Sequence, residues 1–255
     1  MNRCPKLPGH LVPAVAVLSI GLLSSTLAWA QVAPTPAELV AYRRDAPLHA
    51  AAAAGDVAMV ERALSGLGRG AAALEARDGH GRTPIHVATF ARHAAIIERL
   101  AAAGADLDAL EADRYDPVTI AAVADDETTL RLLLKLGARA TNVTSRWNGT
   151  ALIAAAHLGH DAVVRQLIAA GAPLDHVNSL HWTAVIESIV LGDGGPRHQA
   201  TLRALVDAGA DLSLADRNGA TPLALARQRG YREMVAILEA PSASPTASPV
   251  KDSSR

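Results

Sequence analysis

Apolar residues in this chain fall in short bursts at helical spacing, separated by polar links that carry Gly, Asp or Pro. In "DAVVRQLIAAGA", residues 161 to 172, Val163, Val164, Leu167 and Ile168 share one stripe of a helix. A shorter apolar segment with its own start signal precedes such stripes. In "TPIHVA" at 83 and "TPLALA" at 221, Thr83 and Thr221 are N-caps that accept bonds from free backbone N–H groups. Pro84 and Pro222 then take the first helical position, where no N–H is needed. Gly55, Gly159 and Gly230 end these first helices before the second begins. The pattern predicts short helices in pairs.

The pairs repeat. "AGADL" stands at 103 to 107 and again at 208 to 212, with the looser "LGARA" at 136 and "AGAPL" at 170 between them. The shared glycines, Gly104, Gly137, Gly171 and Gly209, are thirty-three, thirty-four and thirty-eight residues apart. They follow the second helix of successive units, where a left-handed cap favours glycine. A second motif runs in phase: "APLHAA" at 46, "TPIHVA" at 83, "DPVTIA" at 116, "TALIAA" at 150, "TAVIES" at 183 and "TPLALA" at 221. Self-similarity at this period is the signature of stacked units, none of which buries its apolar faces alone. The end units are therefore modified. "TPAELVAYRRD" at 35 to 45 supplies a polar lead-in, and "YREMVAILEA" turns Arg232, Glu233 and Glu239 towards water. Two links are long: "SGLGRGAAALEARD" after the first unit, and "GDGGPRHQ" inside the fifth, which reads most simply as a tolerated surface insertion.

Half of the residues are apolar but only 3% are aromatic, a composition suited to closely packed small helices rather than a β-sandwich. With the motifs in register, the chain resembles the ankyrin repeats, whose pattern is T-P-L-H-x-A, then G-H, a V-V-x-x-L-L helix and G-A-D. The resemblance covers residues 46 to 240, six units. It implies an all-α solenoid of helix-turn-helix repeats with short β-turn loops, and a concave face of loop tips and first-helix ends that binds another protein. Departures cluster in repeats three to five: Asp116 replaces the usual Thr, Ala151 and Ala184 the proline, and Thr119, Ile153 and Ile186 the histidine.

Carried over position by position, Arg82, Tyr115 and Trp182 precede the motif, Arg146, Trp147 and His181 lie at the tips, and Phe90 and His157 lie at first-helix ends. Beyond residue 30 there are six aromatics, and Phe90, Tyr115, Trp147 and Trp182 all fall on these positions. Exposed Trp, Tyr and Arg are the side chains that most often supply binding hot spots. The rival reading has the two tryptophans covering the helix ends of the next repeat. Glu187 is a charge where the family often has an apolar residue; it either complements a basic partner group or, more simply, faces water. These nine residues are the expected partner-binding set.

Residues 1 to 30 read as a secretory signal: Arg3 and Lys6, an apolar run from Leu11 to Leu23, and Ala28 and Ala30 in an A-x-A pattern. Cleavage after Ala30 places the mature chain in the periplasm or outside the cell. It removes Cys4, the only cysteine, so neither a disulfide nor a thiol nucleophile is expected. The remaining 22 basic and 25 acidic residues give a net charge of about −3, which excludes neither protein partners nor solubility but argues against nucleic acid. No later segment is long and apolar enough to insert in a membrane. The Pro/Ser-rich stretch from 241 to 255 reads as a disordered tail.

Catalytic motifs are lacking: there is no G-x-S-x-G elbow and no phosphate-binding glycine loop. His49 and His86, and His160 with His93 nearly so, occupy repeat positions where the resemblance implies bonds to backbone and loop groups. His80, His157, His181 and His198 are expected to be exposed. No cofactor or metal is expected. The reading is a non-catalytic protein-binding module, either supporting a periplasmic enzyme in stress defence or acting as an immunity protein. The alternatives are a metal-dependent or hydrolytic enzyme using His157 and His160, whose i, i+3 spacing suits a metal pair, and a purely structural spacer.

Overall fold

The structure, a computed structural model, describes residues 34–66 and 71–240. The expected signal segment and tail lie outside these residues, as do four residues of the first long link.

Thirteen α-helices and one 3-10 turn, Ala71–Ala73, appear among the described residues. A lead-in helix α1 (Pro36–Asp45) is followed by six pairs: α2 (Pro47–Ala54) and α3 (Val57–Gly66), α4 (Pro84–Phe90) and α5 (Ala94–Ala102), α6 (Pro117–Val123) and α7 (Glu127–Lys135), α8 (Ala151–Leu158) and α9 (Asp161–Ala169), α10 (Ala184–Val190) and α11 (Pro196–Asp207), and α12 (Pro222–Gln228) and α13 (Arg232–Glu239). None is long and apolar enough to cross a membrane. First helices stack on first helices and second on second, so that one face of the array is built of first helices and the other of second helices. The only strands among the described residues are β1 (Val143–Thr144) and β2 (Gly149–Thr150), antiparallel across the fourth tip.

Two columns of residues set the stacking. The fifth residue after each motif start is small in every repeat: Ala51, Ala88, Ala121, Ala155, Ser188 and Ala226 are all at most 1% exposed. A larger side chain there would push neighbouring first helices apart. On the second helices, Ile96/Ile97/Leu100, Thr129/Leu130/Leu133, Val163/Val164/Leu167 and Thr201/Leu202/Leu205 repeat one buried stripe. The end units turn polar as expected, with Arg232, Glu233 and Glu239 exposed.

The departures in repeats three to five leave the helix starts intact. Asp116 accepts the Thr119 N–H at 2.7 Å and thus caps α6 in place of threonine. Thr150 and Thr183 cap α8 and α10, each accepting a backbone N–H at 3.3 Å, without a following proline. At position four of the motif, His49 bonds the Arg82 carbonyl at 2.9 Å and His86 the Tyr115 carbonyl at 3.3 Å, tying each repeat to the next. Burial lowers the pKa of both rings, that of His86 to about 4. The glycines after the second helices, Gly104, Gly137, Gly171 and Gly209, have φ between 80° and 103°.

The enlarged turn of repeat five is a strut rather than a loose insertion. His198 bonds the His157 carbonyl at 2.9 Å and the Asp193 carboxylate at 2.8 Å. Arg197 donates to the Gly159 carbonyl at 3.1 Å and to Asp125 at 2.5 Å, two repeats away. Tyr231 of repeat six donates to the Gly192 carbonyl at 3.0 Å, its ring so close to Gly194 that a Cβ there would meet it at 2.6 Å.

Two consequences are measurable. A Cβ at Gly137 would meet nothing within 4 Å, so Gly137→Ala carries only left-handed backbone strain; urea unfolding is expected to show a loss of about 1 kcal/mol. His86 stays neutral in the folded chain while the unfolded chain protonates near its ordinary value of 6.5. Its contribution is therefore complete above that pH and is lost as pH falls towards 4. Acidification from about pH 7.5 to pH 4.5 removes roughly 2 to 3 kcal/mol, and His86→Asn, less stable at neutral pH, is expected to show a correspondingly smaller loss on acidification.

Candidate functional site

Each loop tip is closed by one side-chain oxygen. Asp78 accepts the N–H groups of His80 and Arg82 at 2.8 and 2.9 Å. Glu111, Ser145, Asn178 and Asp216, each five residues before its motif, do the same for residues two and four positions on, at 2.8 to 3.3 Å. The first four tips are joined by single backbone bonds, Ala112 N–H to the His80 carbonyl at 3.0 Å, Ser145 to Arg114 at 3.0 Å and Ser179 to Trp147 at 2.8 Å, and the fifth by the Arg217 side chain, which donates to the Ser179 carbonyl at 3.1 Å. The tips form a tied row.

Across repeats three to five this row and the first helices enclose a recess of about 530 Å³, counting the space open to solvent. Tyr115, Trp147 and Leu180 come from three successive tips; Ile153 and His157 from α8; Glu187 from α10. No second helix contributes to the wall.

Glu187 stands at the base. Its column is apolar in the other repeats, Ala50, Val87, Ile120, Ala154 and Leu225, yet here it is a carboxylate only 6% exposed. This corrects the expectation that it faces water. Asn178 donates its side-chain amide to Oε1 at 2.7 Å, and a ring nitrogen of His157 lies 3.2 Å from Oε2. Asn178 thereby performs two tasks, closing its tip through the carbonyl oxygen and holding Glu187 through the amide. An aspartate, as at 78 and 216, would close the tip equally well but would set two carboxylates together. No Lys or Arg lines the recess.

The other expected residues divide. Trp147 is 39% exposed at the mouth, whereas Trp182 packs half-buried on the core. Tyr115 lines the recess but is buried, and burial pushes its phenol up to about 12, so it remains a protonated donor. Arg146 is exposed and paired with Asp113. His181 is exposed, with φ 63°. Phe90 is half-buried at the end of α4 and outside the recess. Arg82, expected at the surface, is 3% exposed, because α1 covers it: it donates to Asp78 at 2.7 Å, Glu38 at 2.5 Å and the Tyr42 hydroxyl at 3.1 Å. Burial alone would raise the Asp78 carboxyl; hydrogen bonds from Tyr42 and Arg82 hold it below its usual range.

His157 and His198, expected to be exposed, have side chains only 13% and 12% accessible. His157 turns to Glu187 while His160 bonds the Ala122 carbonyl at 2.9 Å, so the i, i+3 pair serves two different neighbours. Asn178 and Leu191 also line the recess and were not among the expected residues; the only sequence sign of Asn178 is that it stands in a column otherwise occupied by acids and a serine.

Comparisons agree with this architecture. A family model described as ankyrin repeats in three copies matches residues 35–111 and again 118–216. The ankyrin repeat protein YahD of Escherichia coli (strain K12) is 35% identical over 167 residues, 65% of this chain and 83% of that protein. The nuclear factor NF-kappa-B p105 subunit of Gallus gallus is 29% identical over 168 residues, 64% of this chain but 17% of its own length. Among solved structures, an ankyrin repeat domain from Acinetobacter baumannii AYE superposes with a TM-score of 0.69 at 42% identity, covering 75% of this chain and 95% of its own. The ankyrin repeat protein EF0377 gives 0.67 at 29% identity, covering 75% and 96%. With the motifs, the helix pairs and these likenesses in agreement, the chain belongs to the ankyrin repeat family.

Proposed function

We propose that this chain is a non-catalytic module, exported after cleavage following Ala30, that holds a partner protein in the recess across repeats three to five. Ankyrin repeats are generally protein interaction modules, and the observation that carries the reading here is Trp147: a large aromatic, 39% exposed, at the mouth of a tied row of tips. A free chain already ordered by backbone bonds between tips loses little entropy on association, which favours affinity. Of the two tryptophans, Trp147 is the binding candidate and Trp182 a packing residue. Two roles fit an exported module of this kind, support of an enzyme in stress defence and immunity against a delivered toxin; the identity of the partner decides between them.

Two measurements test the reading. Protein recovered from the periplasmic fraction of a bacterial host is expected to begin at Gln31 by N-terminal sequencing; an uncut chain in the cytoplasm overturns the export. Affinity capture from an exported-protein extract is expected to retain a partner that Trp147→Ala loses, with Kd weakened roughly thirtyfold and circular dichroism unchanged. Equal retention by the variant places binding elsewhere on the array.

A further inference from the structure

The wall of the recess holds a buried carboxylate, Glu187, that meets a histidine and an amide but no Lys or Arg. Glu187 is held by a neutral amide and an imidazole nitrogen, and no lysine or arginine reaches the recess from any element that lines it. Elsewhere among the described residues, buried carboxylates have cations against them or cap helices: Asp78 meets Arg82 at 2.7 Å, while Asp116 and Asp126 each accept the N–H of a helix start. Glu187 caps no helix, and its ionisable partner among the described residues is His157 at 3.2 Å rather than a Lys or Arg. It lies in mid-α10, where the same column is apolar in the other five repeats.

The carboxylate oxygens retain acceptor capacity, since each receives one donor and can take about two. The same recess is lined by an indole and a phenol, Trp147 and Tyr115, and by the apolar Ile153 and Leu180, with the phenol near enough to feel the Glu187 carboxylate. A negative floor below aromatic walls is complementary to one flat cation with an apolar stem. A guanidinium satisfies both parts, because it stacks on aromatic faces and donates in a fork to a carboxylate.

We propose that the recess is a socket for a single arginine side chain projecting from an exposed loop of the partner protein, with Glu187 receiving the guanidinium and Trp147 covering it. The proposal rests on the partner-binding reading above and names the chemistry by which that partner is recognised. Asn178 is then a positioning residue: its amide fixes the carboxylate while its carbonyl oxygen closes the tip beneath Trp182.

The test uses the peptide Ac-Gly-Ser-Arg-Ser-Gly-amide and its citrulline counterpart, which keeps shape and loses charge. Both are titrated into the whole protein and followed by tryptophan fluorescence and by amide NMR shifts, up to about 10 mM. The arginine peptide is expected to bind at least about fivefold more tightly than the citrulline peptide, a preference erased in Glu187→Gln and weakened in Trp147→Ala. Gln preserves the bond from Asn178, and Trp147 is exposed, so the second variant keeps the test valid if the first fails to fold. Equal affinity for the two peptides, a preference that survives in both variants, or no saturation by either peptide overturns the socket. Partner capture that still depends on Trp147 in any of those cases leaves the protein-binding reading standing and removes only the arginine.

Discussion

A single side-chain oxygen in each of repeats two to six, accepting two backbone N–H groups, closes the loop tip, and the arrangement of everything above the helices depends on it. The tip is where the chain reverses between one helix pair and the next, with its backbone donors otherwise unpaired. Asp78, Glu111, Ser145, Asn178 and Asp216 perform this closure with three different functional groups. The geometric demand is satisfied by any acceptor of suitable reach, so the remaining atoms of the residue are available for other work. An acid brings a charge to be neutralised, as Arg82 does for Asp78. Serine brings none, and asparagine brings a donor.

That donor is what permits Glu187. A buried carboxylate without partners is expensive, and one facing a second carboxylate more so. With Asn178 on Oε1 and His157 beside Oε2, desolvation is partly offset, yet no full positive charge is supplied by Lys or Arg. A leucine at 187, as at the equivalent 225, would satisfy the apolar column with no such cost. The fold therefore does not require the carboxylate.

The repeat period, the caps and the glycine ends were legible because they are local: a threonine or aspartate before the first turn and a glycine after the last one act within a few residues. Even where proline is missing, at Ala151 and Ala184, the preceding threonine starts the helix. Exposure at the tips was not legible, because it depends on what lies above. Arg82, Tyr115 and Trp182 immediately precede their motifs, and that position turns inward over the first helix, whereas Trp147, two residues past its tip acceptor, points out. For Arg82 the covering groups, Glu38 and Tyr42, belong to α1, some forty residues earlier. Glu187 was recognisable as an exception in its column, but its burial required knowing that Asn178 and His157 converge on it from neighbouring elements.

Backbone strain follows the same division of the array. The left-handed residue of the tip is glycine in repeats two and six, Gly81 and Gly219, where it costs little. In repeats three, four and five it is Arg114, Asn148 and His181, with φ of 67°, 51° and 63°, and Ser145 adds a further left-handed residue at 63°. Each such residue other than asparagine costs on the order of 1 kcal/mol relative to glycine. Arg92 and Asp125, in turns between paired helices, share the conformation, and both are tied to later repeats, Arg92 through the Ala124 carbonyl at 3.1 Å and Asp125 through Arg197, two repeats on, at 2.5 Å. Local stability alone favours glycine at all of these positions. At the tips of the repeats that form the recess, side chains stand there instead, and the strain is borne by tips already fixed by their acceptors and by bonds to one another. The same acceptors place the two residues that matter in the recess, Ser145 through the Trp147 N–H and Asn178 through the Glu187 carboxylate.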